Sequence, residues 1–107
     1  SRLIKAVGGN EKSAYGLCHL GDYEATLFSK WSHNRQFGED FAHGKRFEKL
    51  AEGVMTSKAL LKMGERYDVD LPIVRAVTNV LFDGNSIKET LDALFAREIR
   101  DEFWQTD

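Results

Sequence analysis

Residues 72–95, which read PIVRAVTNVLFDGNSIKETLDALF, decide the fold class. Pro72 can open a helix, because the first turn of a helix has no partner for the N–H that proline lacks. Gly84 is typical of the position just after a helix. The apolar side chains between them lie at i, i+4, i+7 and i+8, the spacing of one helical face; they are Ile73, Val77, Val80 and Leu81. The pattern predicts a helix that buries this face.

The same stretch contains the start of a second helix. Ser86 and Glu89 form an S-x-x-E pattern, in which the serine hydroxyl accepts from a first-turn N–H and the glutamate reaches back to the cap. The apolar spacing then repeats at Ile87, Leu91, Leu94 and Phe95. Two amphipathic helices joined by a short turn favour a helical bundle.

Helical spacing recurs upstream, and the chain of 107 residues has a single proline. We expect helices at about 2–8, 21–29, 33–42 and 54–66, with a short helical turn at 11–15. Capping and stop residues mark these ends: Gly8 and Gly9 after the first helix, Ser32 before the third and Gly44 after it. The sequence thus predicts an all-α fold, a compact bundle of about six helices in one domain, residues 1–107.

Further apolar residues are expected to be buried. Segment 45–52 is ambiguous, although Phe47 and Leu50 are typical of buried positions. The helix at 54–66 carries a four-residue ladder, formed by Met55, Ala59 and Met63 with Leu60 beside it. Cys18, between two leucines, is expected to be a small core residue, and His19 to be a partly buried hydrogen-bonding residue. The tail after Arg100 is polar apart from Phe103 and Trp104.

Composition and charge limit the classes of partner that can be expected. The chain has 15 basic and 17 acidic side chains and a formal net charge of -2, so neither nucleic acid nor a membrane surface is expected as a partner. No apolar run is long enough for a transmembrane helix. A single cysteine excludes an internal disulfide and fits a reducing compartment, so a soluble cytoplasmic protein is expected.

Two neighbouring segments, 16–22 and 32–38, carry polar residues that packing does not require. Asp22, Ser32 and Asn34 are short side chains that can bond ligand hydroxyls or phosphate oxygens. A helix that begins near Ser32 would favour an anion, with His33 and Arg35 adding charge beside it. The alternative interpretation is two helix caps and one polar surface residue.

Other candidate chemistry is weaker. The three histidines, His19, His33 and His43, are 14 and 10 residues apart and have no short metal-binding spacing, so no metal is expected. Cys18 has no evident base for nucleophilic chemistry. No G-x-G-x-x-G or G-K-S/T motif is present, so the chain has no usual means of holding a dinucleotide alone. Glu52 before Gly53 is either solvated or bonds the ribose of a nucleotide held by another domain.

Four motifs in order resemble the C-terminal domain of bacterial-type NAD(P)-dependent glycerol-3-phosphate dehydrogenase. That family has G-L-x-G-L-G-D, S-R-N-R-x-F-G, V-E-G and a P-I helix. This chain has Gly16 to Asp22 in the first motif and Ser32 to Gly38 in the second. It also has Ala51-Glu52-Gly53 and Pro72-Ile73 at matching spacing. The resemblance covers nearly the whole chain and implies a fold similar to the C-terminal domain of 6-phosphogluconate dehydrogenase.

The resemblance implies roles for particular residues. Enzymes of the family interconvert sn-glycerol 3-phosphate and dihydroxyacetone phosphate with NAD(H) or NADP(H). Substrate contacts are implied for Asp22, Ser32, His33 and Asn34, with Asn34 on the phosphate. Nucleotide contacts are implied for His33, Leu50 and Glu52. No catalytic group is implied within the chain. His33 departs from the family, which has arginine there, a permanent and bidentate cation.

The resemblance also implies what the chain lacks. The general-base lysine and the nucleotide-binding domain of the family lie upstream of Ser1, so we expect a fragment that is inactive alone and partners its own N-terminal domain. The oligomeric state, a homodimer included, is left open. Two alternatives remain: a stand-alone helical interaction or regulatory module descended from such an enzyme, and a related dehydrogenase acting on another small acid or phosphate.

Overall fold

The computed structural model describes residues 1–98, and in that range every regular element is helical. The α-helices are α1 Arg2–Ala6, α2 Asp22–Thr26, α3 His33–Ala42, α4 Glu52–Arg66, α5 Pro72–Phe82 and α6 Ile87–Phe95. A 3-10 helix, Glu11–Tyr15, and a π-helical turn, Leu17–Gly21, join α1 to α2. The predicted all-α class is therefore confirmed. The expectation for Phe103 and Trp104 lies outside the described residues.

Local signals placed most helix ends correctly. The Ser32 hydroxyl accepts from the Arg35 backbone N–H at 3.3 Å, and the Ser86 hydroxyl accepts from that of Glu89 at 3.4 Å. Pro72 opens α5, and glycines with positive φ follow three of the helices: Gly8 at 85°, Gly44 at 68° and Gly84 at 71°. Each of these ends depends on residues within one turn of the boundary, which is why the sequence predicts them.

The helix expected at about 21–29 begins where predicted but is shorter, since α2 spans Asp22–Thr26. The backbone is already helical from Leu17, where a wide turn is closed by the Gly21 N–H donating to the Gly16 carbonyl at 3.1 Å. The α-helix then ends at Thr26. A turn follows, in which the Ser29 N–H donates to the Thr26 carbonyl at 3.0 Å. The polar residues of the first motif therefore sit on a wide turn followed by a short helix.

The main packing runs from α3 to α4, from α4 to α5 and from α5 to α6. The buried positions of the described residues are all occupied by small residues: Ala51, Ser57, Gly64, Ala76 and Thr78. The two hydroxyls are satisfied within their own helices, at 2.7 Å to the Val54 carbonyl and 2.8 Å to the Arg75 carbonyl. Small side chains let the helix backbones approach closely.

The expected core was wrong in several places. Ile73 is 65% exposed and Met55 is 64% exposed, whereas the buried positions of α4 and α5 hold small residues. Leu50 and Phe95 are exposed, as are, to a smaller degree, Met63, Val77, Ile87 and Leu91. Cys18 and His19 are exposed too, on the π-helical turn, and the Cys18 thiol lies 3.4 Å from the Ser13 carbonyl.

One cation–π contact ties α4 to α5, with the Lys58 ammonium 3.8 Å from the centre of the Phe82 ring. Exposed contacts of this kind contribute about 0.5–1 kcal/mol. Across residues 1–98, no helix has the length and apolar character needed to cross a membrane.

Candidate functional site

The N-terminus of α3 is anchored to the segment before α4. The contacts run from His33 and Asn34 to residues 47–53, which are distant in sequence. We call the group His33, Asn34, Leu50 and Gly53 the α3–α4 latch. It contains two residues of the predicted substrate set, His33 and Asn34, and two of the predicted nucleotide set, since His33 belongs to both sets and Leu50 to the second. Glu52 lies between Leu50 and Gly53 along the chain.

Asn34 caps a helix to which it does not belong. Its Oδ1 atom accepts from the Gly53 backbone N–H at 2.9 Å. The residue at the N-cap of α4 is Ala51, whose side chain has no acceptor. Asn34 therefore supplies the side-chain cap that Ala51 cannot give to α4. A helix cap contributes about 1 kcal/mol to stability. Because the Gly53 N–H is a donor, the amide oxygen of Asn34 and not its nitrogen faces Gly53. The Nδ2 group of Asn34 is thereby left for other partners.

His33 is held from two sides. Its Nδ1 atom lies 3.0 Å from the Leu50 carbonyl oxygen. Because a carbonyl only accepts, Nδ1 carries the proton and Nε2 of the neutral ring is left as an acceptor. The Phe47 ring packs edge-on against the imidazole, with 6.1 Å between ring centres. Phe47 is half-buried, and it packs edge-on against Phe37 of α3 as well, at 5.9 Å.

The residues expected to face a nucleotide are accessible. Leu50 is 70% exposed although its carbonyl is engaged, and Glu52 is exposed at the first position of α4. A carboxylate at a helix N-terminus is stabilised by the helix dipole. Leu50, within the latch, and Glu52, next to Gly53, therefore present an apolar and an acidic side chain to the surroundings.

Ser32 acts as the N-cap of α3, which is the alternative interpretation that the sequence left open for it. Asp22 opens α2 and is exposed. Among residues 1–98, its carboxylate makes no hydrogen bond or ion pair, and α2 packs chiefly against the preceding π-helical turn. The structure therefore brings His33 and Asn34 together with the segment that carries Leu50 and Glu52, while in the described range no hydrogen bond or ion pair of the Asp22 carboxylate joins it to them.

The neighbouring cation is engaged elsewhere. The Arg35 guanidinium lies 3.3 Å from the Glu39 carboxylate along the exposed face of α3. Within residues 1–98, no group of three or more histidine, cysteine or acidic side chains is placed to hold a metal ion.

Two features were missed by the sequence. Gly53 and Phe47 position the latch, and their signals were present only as a glycine inside a helix and an aromatic in an ambiguous segment. An open groove of about 340 Å³ also lies between α5 and α6. Its charged lining is mixed, with Asp70 and Glu89 beside Arg75 and Arg97, so it has no evident preference for an anion or a cation.

The fold and site define a class: an all-helical domain in which polar residues at the start of α3 contact the segment that leads into α4, where an acidic residue opens the helix. The family described as NAD-dependent glycerol-3-phosphate dehydrogenase C-terminus matches residues 1–92. The chain belongs to this family.

Curated relatives agree with the family match. The chain is 38% identical over 109 residues to a glycerol-3-phosphate dehydrogenase (NAD(P)+) of Janthinobacterium sp. (strain Marseille), which covers 95% of this chain and 33% of the relative. An enzyme of the same name from Corynebacterium kroppenstedtii is 38% identical and covers 94% of this chain and 33% of the relative. One from Thermotoga sp. (strain RQ2) is 33% identical, with 91% and 32% covered. The chain spans about a third of the length of these relatives.

Proposed function

We propose that this chain is the substrate-binding domain of an enzyme that interconverts sn-glycerol 3-phosphate and dihydroxyacetone phosphate with NAD(H) or NADP(H). The α3–α4 latch is the observation that carries the proposal. It joins His33, which belongs to both predicted sets, to Leu50, from the nucleotide set, through a hydrogen bond of 3.0 Å, and it joins Asn34, from the substrate set, to Gly53 beside Glu52. Hydride transfer requires substrate and nicotinamide to lie against each other, and the latch puts their proposed ligands side by side.

Each residue has a proposed part in binding. Asn34 offers Nδ2 to the substrate phosphate, and the N-terminus of α3 adds its dipole. His33 offers its ring beside both ligands. Asp22 accepts from a substrate hydroxyl and fixes the alcohol carbon. Glu52 accepts from nucleotide hydroxyls, against which Leu50 packs.

The remaining chemistry belongs to the rest of the parent protein. The nucleotide supplies hydride chemistry when bound, and the general base comes from upstream, as the family resemblance implies. The residues of this chain bind, orient and shield the substrate from water, and none of them takes the proton. We also propose a cytoplasmic location, since the single cysteine fits a reducing compartment.

The upstream nucleotide-binding domain is the proposed physical partner. Large apolar side chains of segment 17–31 are well exposed, with Leu17 at 89%, Phe28 at 85% and Trp31 at 78%. Exposed apolar surface of this kind is typical of an interface. Since two thirds of the relatives' length lies outside this chain, we assign these side chains to contact with that part.

The test is steady-state kinetics on the two-domain protein that contains this chain. Asp22→Ala and Asn34→Ala should each lower kcat/KM for glycerol 3-phosphate about tenfold or more, because each removes a hydrogen bond to a polar substrate group. His33→Arg should lower KM for the phosphate substrate, because it restores a permanent cation.

A matched control is Asp92→Ala on α6, whose carboxylate makes an exposed ion pair with Lys88 at 2.7 Å. Such pairs contribute little, so its kinetics should equal those of the wild type. Wild-type kinetics in both Asp22→Ala and Asn34→Ala would refute the proposed function. A gene with a start codon just upstream and no nucleotide-binding domain would instead favour the stand-alone module.

A further inference from the structure

Helix α4 begins with a cap supplied from another helix. Its N-cap residue, Ala51, makes no side-chain cap. The acceptor for the second N–H of α4, on Gly53, is the Asn34 side chain, 19 residues away along the chain. The start of α4 therefore depends on where the N-terminus of α3 lies.

We propose that Asn34 couples the phosphate end of the site to the nucleotide end, and that Gly53 is a positioning residue for this coupling. The inference rests on the proposed function. Asn34 is one rigid amide with two ends. Its oxygen holds the start of α4, where Glu52 lies, and its nitrogen is left for the substrate phosphate. An anion that orders the Asn34 side chain thereby orders the start of α4.

Gly53 is required by the close approach of the amide. A Cβ atom at this position would lie 3.1 Å from Asn34 Oδ1 and 3.2 Å from its Cγ. Both distances are shorter than ordinary van der Waals contact, so a Cβ here requires the Asn34 amide to move by a few tenths of an ångström, which disturbs its hydrogen bond to the Gly53 N–H. Glycine inside a helix is unfavourable relative to alanine, and the contact with Asn34 is the structural reason for it here.

A second contact makes the coupling stiff. His33, next to Asn34, bonds the Leu50 carbonyl at 3.0 Å, and Phe47 packs edge-on against the imidazole at 6.1 Å. Leu50 and Gly53 are thus both tied to consecutive residues of α3. A shift at the start of α3 moves the whole segment that carries Leu50 and Glu52.

The experiment measures nucleotide binding directly, by fluorescence titration of the two-domain protein with NAD(P)H in the absence of substrate. Asn34→Ala and Gly53→Ala should each raise the nucleotide Kd roughly 3- to 10-fold, the range expected for loss of one helix cap. Neither residue is a proposed nucleotide ligand. Asn34→Asp keeps an oxygen that accepts from the Gly53 N–H, so the Kd should return toward the wild-type value.

The same variants separate positioning from phosphate binding. Asn34→Asp lacks the donor and adds a negative charge, so KM for glycerol 3-phosphate should stay at least tenfold raised while the nucleotide Kd is rescued. Hydrogen exchange of the peptide around residues 51–57 should be faster in Asn34→Ala and Gly53→Ala than in Asn34→Asp. Gly38→Ala is the control, because a Cβ there meets nothing within 4 Å.

The outcomes distinguish the coupling from the proposed function. An unchanged nucleotide Kd and unchanged exchange in Asn34→Ala would overturn the coupling even if turnover of glycerol 3-phosphate were lost. Failure of Asn34→Asp to restore protection around residues 51–57 would overturn it as well. A raised Kd in Asn34→Ala, restored in Asn34→Asp, supports the coupling, and in a protein without glycerol 3-phosphate turnover that result refutes only the substrate assignment.

Discussion

Asp68 adopts the left-handed backbone conformation, with a φ of 53°. It follows α4, and the next residue, Val69, donates its N–H to the Gly64 carbonyl at 2.8 Å. This is the Schellman arrangement that ends many helices, in which glycine is the usual left-handed residue. A side chain in this conformation costs about 1 kcal/mol, less for aspartate than for most residues.

Asp68→Gly should therefore stabilise the chain by about 0.5–1 kcal/mol, since it removes the steric cost at this backbone conformation. The measurement is the free energy of unfolding from urea titration. Asp68→Val is the opposite control and should destabilise, because a β-branched side chain fits this conformation poorly. Equal stability of the glycine and valine variants would contradict the interpretation.

At the scale of elements, Gly64 lets α4 meet the chain that returns after it. A Cβ on Gly64 would lie 2.8 Å from the Val69 carbonyl oxygen and 3.0 Å from a methyl group of Leu71. Gly64 is also buried, so a clash with backbone has no open space to relieve it. The last turns of α4 thus pack directly against the segment that follows the helix, with Gly64 next to Val69 and Leu71.

Gly64→Ala should destabilise the chain by about 1–3 kcal/mol, the cost of overpacking, despite the better helix propensity of alanine. Gly38→Ala in α3 is the matched substitution, because a Cβ there meets nothing within 4 Å. It should stabilise by about 0.5–1 kcal/mol. Thermal and urea unfolding of the two variants check the signs, and the same sign in both would contradict this account.

Removal of the Ser86 cap is expected to cause a smaller loss of stability. Ser86→Ala removes the acceptor for the Glu89 N–H, which the hydroxyl meets at 3.4 Å, and should destabilise by about 0.5–1 kcal/mol. Ser86→Asp keeps an acceptor at the same position and should retain the stability of the wild type. Urea unfolding compares the two variants, and a loss in Ser86→Asp as large as that in Ser86→Ala would show that the cap contributes nothing.

The sequence predicted most of the helix ends that depend on neighbouring residues, although not the end of α2 at Thr26, and it missed the start of α4, which depends on a distant residue. Ser32, Ser86 and Gly84 mark boundaries through contacts within one turn. The start of α4 was placed two residues late, because its cap is Asn34, on another helix. The same limit applies to the site: the residue types at 32–34 indicated anion binding, but the contact of His33 with Leu50 exists only after folding.

At the scale of the whole molecule, the spacing of apolar residues indicated which side chains share a helix face, but it did not indicate which of them are buried. Within residues 1–98, no large side chain is fully buried. Ile73 and Met55, expected in the core, are exposed, while the small residues Ala76, Ser57 and Gly64 are buried. A chain spanning about a third of its relatives has surface that the remaining part can cover. The apolar surface is thus the property that sequence patterns alone assigned least well.

Trp31 reports on that surface. It is 78% exposed, next to Phe28 at 85% in the same segment, and the Lys30 ammonium lies 5.1 Å from its ring centre. If the upstream domain covers segment 17–31, the indole loses water when that domain is present. Trp31 should then be readily quenched by acrylamide in the 107-residue chain and protected severalfold in the two-domain protein. Its signal is isolated by subtracting the spectrum of Trp31→Phe in each background.

Burial of an aromatic side chain removes a large apolar area from water, so Trp31→Asp should weaken the association of the separated domains while the isolated chain keeps its unfolding free energy. Equal quenching of Trp31 with and without the upstream domain would mean that the domains meet elsewhere.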